Sequence, residues 1–315
     1  MAAITVYDHI QRNNLKVFFL VLMFPVSLGV ILFGLIHLMF MGDPEGLEYG
    51  LDFFYSGYPI VLGVCLLWML IAYQFGDKMM LGFAGAKLLK DNPVNTRVFR
   101  SVENVALAAG LPIPQVYIIE DESLNAFATG RTPKTASVAL TRGIINALEP
   151  LELEAVIAHE MGHIGNRDIR LHMMIITGLG AFALLGEFLF RTRVRNGGKD
   201  GKALIFAIIL ALMIFNWIVA PIIRLAISRA NEYKADATAA LITRNPLMLA
   251  SALKKISKDA RVEALDKSPQ MGMACIFDPL LDENKSFSLS GLSSTHPPVE
   301  LRIKQLQKMA SSGLR

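Results

Sequence analysis

Charge is scarce in this sequence. Asp, Glu, Lys and Arg make up 18% of its 315 residues, where about 25% is usual in soluble domains. Hydrophobic residues reach 53%, and the mean hydropathy is +0.44. That balance argues against an ordinary soluble enzyme and excludes intrinsic disorder. Cysteine is nearly absent. Cys65 lies in an apolar stretch and Cys275 far away in a polar one, which leaves neither a disulfide framework nor a thiolate metal site. The 31 basic residues exceed the 27 acidic ones by four. No basic run carries interleaved aromatics, so nucleic acid is not an expected partner. No GxxxxGK[ST] phosphate loop occurs, so ATP-driven unfolding by this chain alone is not expected. There is no internal repeat.

Long apolar runs stand in place of the missing charge. Residues 17–42 and 53–76 contain no Asp, Glu, Lys or Arg, a third run covers 171–186 and continues past Glu187, and a fourth covers 203–223. About 20 apolar residues cross a bilayer as a helix. The predicted spans are about 17–41 and 54–75, followed by a second hydrophobic hairpin at about 171–190 and 203–223. The third run is the shortest. The first is too long for a signal-peptide core and is followed by no small-x-small cleavage site, so it reads as a retained anchor. Pro25 is expected to kink it. Lipid bilayer is therefore an expected partner.

Basic residues set the expected orientation. Arg12 and Lys16 precede the first span, and Lys78, Lys87, Lys90, Arg97 and Arg100 follow the second. Asp43, Glu45, Glu48 and Asp52 lie between. The N-terminus and the region from 77 are predicted to face the cytoplasm, with an outward loop at 43–56. The turn of the second hairpin holds Arg191, Arg193, Arg195, Lys199 and Lys202, which opposes two full crossings. Whether or not it crosses, the segments before 171 and after 223 lie on one side. The domain reading is a membrane hairpin, 1–76, and a cytoplasmic domain, 77–315, interrupted by the second hairpin.

The polar part mixes helices and strands. Residues 94–109 place Val98, Val102, Val105 and Ala109 on one helical face. Short β-type runs follow at 116–119, 126–129 and 137–140, with 126–129 a candidate edge. Pro150 opens a helix whose first turn carries Glu152 and Glu154, on the positive end of the dipole. Helices are also predicted at 246–258 and 298–310, around a Ser-, Asp- and Gly-rich loop at 259–295.

The helix opened by Pro150 contains His159-Glu160-Met161-Gly162-His163. Positions i and i+4 share a face, so two imidazoles can hold one zinc ion while Glu160 serves as the base toward water. A catalytic zinc needs a third protein ligand. His172 is about 13 Å from His163 if the helix continues, and Glu187 about 36 Å; neither is expected to reach. His37 is expected to be interfacial. Glu232 fits better. His163 precedes the third run by about as much as Glu232 follows the fourth, roughly 12–14 Å of helix in each case, and both lie on the same side. Asp236 is one turn beyond Glu232 and can orient a ligating histidine.

These motifs resemble those of a known family. The HExxH helix with Asp168, the segment 228–236 (Ser-Arg-x-x-Glu-Tyr-x-Ala-Asp), 125–130 (Asn-Ala-Phe-Ala-Thr-Gly) and Thr295-His296-Pro297-Pro298 with Arg302 and Ile303 look like the HtpX membrane proteases of bacteria, which are related to the CAAX prenyl proteases. The resemblance extends over essentially the whole chain. It implies a mostly α fold, with multiple membrane spans and a cytoplasmic zincin-like (gluzincin-type) α+β metalloprotease domain. It implies one zinc ion per chain on His159, His163 and Glu232, with Glu160 as catalytic acid and base. His296, Tyr233 and Arg302 join Asp236 as supporting or transition-state candidates, and a substrate strand could add along Asn125, Ala126, Phe127 and Ala128. The implied substrates are misfolded or unassembled proteins of the bacterial inner membrane, and other quality-control proteases are possible partners. Tyr233 stands where prenyl proteases tend to have His, which weakens a prenyl-protease reading. An intramembrane protease is disfavoured by Glu152, Glu154, Arg167, Asp168 and Arg170 around the motif. An adaptor with structural zinc would have no use for Glu160.

Overall fold

The computed structural model describes residues 6–89, 96–192, 199–215, 229–258, 274–276 and 297–312. Helices dominate. α1 (Val6–Met39) and α2 (Pro44–Phe83) form a long antiparallel hairpin. Among the described residues, Leu15–Leu38 and Pro44–Phe83 are long and apolar enough to cross a membrane. α1 continues through Pro25 as one helix, and the Pro25 carbonyl accepts from Tyr58 Oη of α2 at 2.7 Å.

The expected 43–56 loop is instead mostly helix. Asp43 caps α2, its carboxylate accepting from Gly46 N–H, and Pro44 takes the first helical position. Both choices favour a helix start. Glu45, Glu48 and Asp52 therefore ride on the first turns of α2.

After β1 (Lys87–Leu88) comes α3 (Thr96–Ala109), which buries Val98, Val102 and Val105 as its periodicity predicts. β2 (Gln115–Ile119), β3 (Ala126–Thr129) and β4 (Ser137–Thr141) complete a sheet of order β1-β2-β4-β3. β2 and β4 are parallel, while β3 runs antiparallel to β4 at the sheet edge. A short α4 (Arg142–Ala147) leads to α5 (Pro150–Asn166). α5 is the central helix of the polar part: every residue from 155 to 164 is buried.

α6 (Asp168–Thr192) and α7 (Lys199–Ile214) cover most of the second hairpin. Arg193 and Arg195 of its turn, and the end of the fourth run from 216, lie outside the described residues. The start of α6 is enclosed on all sides, with Leu171, Met173, Met174, Ile175 and Leu179 at most 1% exposed. It packs on α1, α2 and α7. α8 (Arg229–Thr243), α9 (Pro246–Ile256) and α10 (Val299–Ser312) close the polar part around α5.

One buried carboxylate fastens this arrangement. Glu152, 4% exposed, accepts from Glu149 N–H at 2.9 Å, Ser251 Oγ at 2.7 Å and Lys255 Nζ at 2.6 Å. It thus joins the start of α5 to α9. Burial alone would raise its pKa, but Lys255, Ser251 and the Glu149 N–H together bring it below the ordinary value. A carboxyl whose folded pKa is depressed stabilises the fold above its unfolded pKa, and that contribution is lost as pH falls through the folded pKa. Glu152→Ala is expected to cost about 2 kcal/mol at pH 7, discounted for the partly exposed lysine. In thermal melts, the gap between variant and parent should narrow as the pH drops below the usual carboxylate range.

Candidate metal centre

Close helix packing assembles the centre. α5 and α8 meet along small residues. A Cβ on Gly162 would stand 3.3 Å from Ala235 Cα and 3.3 Å from Thr238 Cβ, and Ala235 and Ala239 are fully buried. The helix backbones therefore approach closely enough for Glu232, in the first turn of α8, to face the motif of α5.

Three side chains converge there. The Nε2 atoms of His159 and His163 lie 3.2 Å apart. Glu232 places Oε1 3.4 Å from His163 Nε2 and Oε2 3.7 Å from His159 Nε2. All three candidate ligand atoms lie within 4.8 Å of one another. Ligands about 2.0–2.1 Å from a tetrahedral zinc ion are separated by roughly 3.4 Å, so the spacing fits. Both rings turn the opposite nitrogen to a carboxylate. His159 Nδ1 is 2.9 Å from Asp236 Oδ1, and His163 Nδ1 is 3.3 Å from Asp168 Oδ2. A proton on each Nδ1 leaves two Nε2 lone pairs aimed at one point, beside a carboxylate. A bound cation would satisfy that geometry.

Electrostatics point the same way. Glu160, Asp168, Glu232 and Asp236 are each at most 2% exposed. Burial favours neutral His163, yet the Glu232 carboxylate, then Asp168 and Glu160, push its pKa up to about 9. His159 moves down because burial outweighs Asp236. Burial also disfavours the Asp236 carboxylate, but Arg302 holds it down to about 2. Arg302, 1% exposed on α10, donates Nε to Asp236 Oδ2 at 2.9 Å and Nη2 to Oδ1 at 2.7 Å. Its Nη1 is 3.8 Å from Glu232 Oε2.

The expected ligands, Asp236 and Arg302 thus meet at one place. Glu160 is 1% exposed beside them, and its charge acts on both His163 and Arg302. Tyr233 is half-buried and makes no hydrogen bond to the cluster among the described residues. His296 lies outside the described residues. His172 stays outside the candidate ligand group, as expected, but it lies closer than a continuous helix would place it. Its ring centroid stands 5.6 Å from that of His163, because α5 does not continue into α6. Arg167 adopts φ 59° and ψ 26°, and this left-handed residue turns the chain. The same turn carries Asp168 under His163 and brings Asn231 Nδ2 to Asp168 Oδ1 at 3.2 Å. Gly165 and Asn166, residues that often end helices, are the local signal for it.

The candidate substrate edge also has an occupant. Ile276 N–H donates to Ala126 O at 2.9 Å, and Cys275 bridges Phe127. Arg302 Nη1 donates to Ile276 O at 3.0 Å. Asn125 precedes β3 and is turned inward, its N–H donating to Thr141 Oγ1. Ala126, Phe127 and Ala128 are all buried.

The chain is similar to known proteases over most of its length. A Protease HtpX homolog of Bacteroides fragilis is 37% identical over 314 residues, which span 95% of this chain and 97% of that protein. The Tropheryma whipplei homolog is 36% identical over 97% of this chain and 99% of its own length. Among solved structures, the crystal structure of S. mikatae Ste24p overlaps 93% of this chain and 67% of its own, with 18% identity and a TM-score of 0.45. The model of "Peptidase family M48" matches residues 93–310, a stretch that contains both histidines, Glu160, Glu232, Asp236 and Arg302, and the chain belongs to that family of metallopeptidases.

Proposed function

We propose that this chain is a zinc-dependent, ATP-independent endopeptidase of the bacterial inner membrane. It cleaves misfolded or unassembled membrane proteins at a centre facing the cytoplasm, on a domain of residues 77–315 anchored by the 1–76 hairpin. The observation that carries the reading is the convergence of two histidine Nε2 atoms and Glu232 beside a buried Glu160. His159, His163 and Glu232 would hold one zinc ion per chain. Bound there, zinc supplies Lewis-acid polarisation of the scissile carbonyl and lowers the pKa of the attacking water.

The chain's own groups do the rest. Glu160 takes a proton from the attacking water and delivers it to the leaving amine nitrogen. Asp236 accepts from His159 Nδ1–H and Asp168 from His163 Nδ1–H, which fixes both tautomers. Arg302 clamps Asp236 through both carboxylate oxygens. His296 and Tyr233 remain the candidates to steady the developing oxyanion. A peptide that adds to β3 along Ala126, Phe127 and Ala128 must displace residues 274–276 from that edge.

Casein digestion by the detergent-purified chain tests the reaction. Cleavage should proceed without ATP, stop with a zinc chelator and return on adding zinc. Strict ATP dependence, or full activity in a metal-stripped sample, contradicts the proposal. Cleavage of an unprenylated unfolded substrate separates this reading from a prenyl protease.

A further inference from the structure

The α2–α6 contact leaves a cavity of about 360 Å³ lined by Leu66, Met69, Leu70, Tyr73 and Met174. Leu66, Met69, Leu70 and Tyr73 follow helical spacing, so they form one strip of α2, and Met174 closes the strip from α6. Leu70 is 67% exposed, whereas Met69 and Met174 are at most 2% exposed; the cavity opens sideways, away from the protein. Its floor is fixed by helix contact. Trp68 Nε1 donates to Thr177 O at 3.4 Å, and Met173 of α6 packs on Gly76.

The cavity has two different ends. From Leu66 to Tyr73 the strip climbs about 10 Å, from the middle of the apolar span toward the polar domain. At that upper end Arg131 lies over the Tyr73 ring, 5.4 Å from its centroid, and donates Nη1 to Gln74 Oε1. Among the described residues it pairs with no carboxylate. Tyr and Arg at the end of a span are the side chains that meet lipid headgroups. An apolar void facing hydrocarbon forfeits dispersion contacts along its wall, so a chain of the surrounding bilayer is its natural filling. A guanidinium at its mouth adds a charge-assisted bond to phosphate.

We propose that this cavity is a binding site for one anionic phospholipid, with an acyl chain along Leu66, Leu70 and Met174 and the phosphate at Arg131. Arg131 follows Gly130 at the end of β3, so the bound lipid would tie the edge strand of the sheet to the membrane surface. The proposal rests on α2 spanning the membrane. Carbonate extraction tests that premise separately: a chain that stays in the pellet is integral whatever its lipid occupancy.

Native mass spectrometry of the delipidated full chain tests the site, with phosphatidylglycerol or phosphatidylcholine of the same acyl chains as the probe. One phosphatidylglycerol should be retained per chain, with roughly tenfold less phosphatidylcholine, because its choline cation offsets the phosphate charge beside the Arg131 guanidinium. Arg131→Gln should lower phosphatidylglycerol retention by a similar factor, and Leu70→Trp should abolish it by filling the cavity. Unchanged zinc content in both variants shows that the fold is intact. Retention by both variants equal to the parent overturns the proposal, as does equal retention of the two lipids. A benzophenone amino acid at position 70 adds a second readout in native membranes. A phospholipid adduct supports the site; a protein adduct overturns it in favour of a transmembrane segment as occupant.

Discussion

Glu160→Gln is expected to keep its metal and lose at least about a thousandfold in turnover. General base catalysis contributes roughly 10²–10⁴-fold, and this glutamate is asked to move the proton twice, from water and then to the departing nitrogen. A carboxamide of the same shape cannot accept it. Glu160 is 1% exposed, and a neutral isostere there removes a buried charge without opening a hole. The fold and the spacing of His159, His163 and Glu232 should therefore survive. The loss should fall on kcat, with KM close to that of the parent, since the interaction is made in the transition state. A thousandfold corresponds to about 4 kcal/mol of barrier. Zinc content by elemental analysis must accompany the kinetics. Full proteolysis by Glu160→Gln at normal zinc would remove Glu160 from the mechanism. Glu232→Gln should behave differently: it weakens the metal centre itself, so activity and zinc content fall together.

Much of this centre is legible in the sequence because helices repeat. The i, i+4 spacing puts His159 and His163 on one face, and the same rule places Asp236 one turn beyond Glu232. Residues 163 and 232 stand at similar sequence distances from the two apolar runs, and a hairpin that leaves and returns on one side predicts that they meet. What hides is what depends on a single backbone residue. Asp168 supports His163 only because Arg167 takes a left-handed conformation, and a non-glycine residue at positive φ is uncommon enough to be a poor sequence expectation. Extending α5 straight through that point pushes His172 about 13 Å away, whereas the turn brings its ring to 5.6 Å from that of His163. The start of α2 hides for another reason. Counting acidic residues suggests a loop at 43–56, while the cap formed by Asp43 and Pro44 begins a helix there. Arg302 is farther from any local signal. It comes from the last described helix, 66 positions from Asp236; the family resemblance names it as a candidate, but its bond to Asp236 comes from the tertiary fold.

Arg302→Met is expected to be the most damaging substitution away from the proposed metal ligands. It leaves the Asp236 carboxylate, 2% exposed, without its bidentate partner, and breaking one side of a buried pair costs about 3–5 kcal/mol. The damage should spread in two directions. Asp236 also holds His159 Nδ1 at 2.9 Å, so zinc affinity should drop about 10–100-fold, as when a partner that orients a ligating histidine is removed. Ile276 O loses its 3.0 Å bond from Nη1, which loosens the segment lying on β3. Arg302→Lys keeps the charge but not the fork that spans both carboxylate oxygens; an intermediate loss is expected. The decisive variant is the double substitution Asp236→Asn with Arg302→Met. Removing both charges relieves the stranded carboxylate, so its cost should be smaller than the sum of the single costs by about 1–3 kcal/mol. Thermal melts of the four proteins measure that coupling, and chelator competition measures the zinc affinity in parallel. Additive melting losses would mean that Arg302 merely fills space on α10. Strong coupling in the melts, together with a weakened hold on zinc in Arg302→Met, identifies the guanidinium as the outermost link in a chain that runs from Arg302 through Asp236 and His159 to the metal.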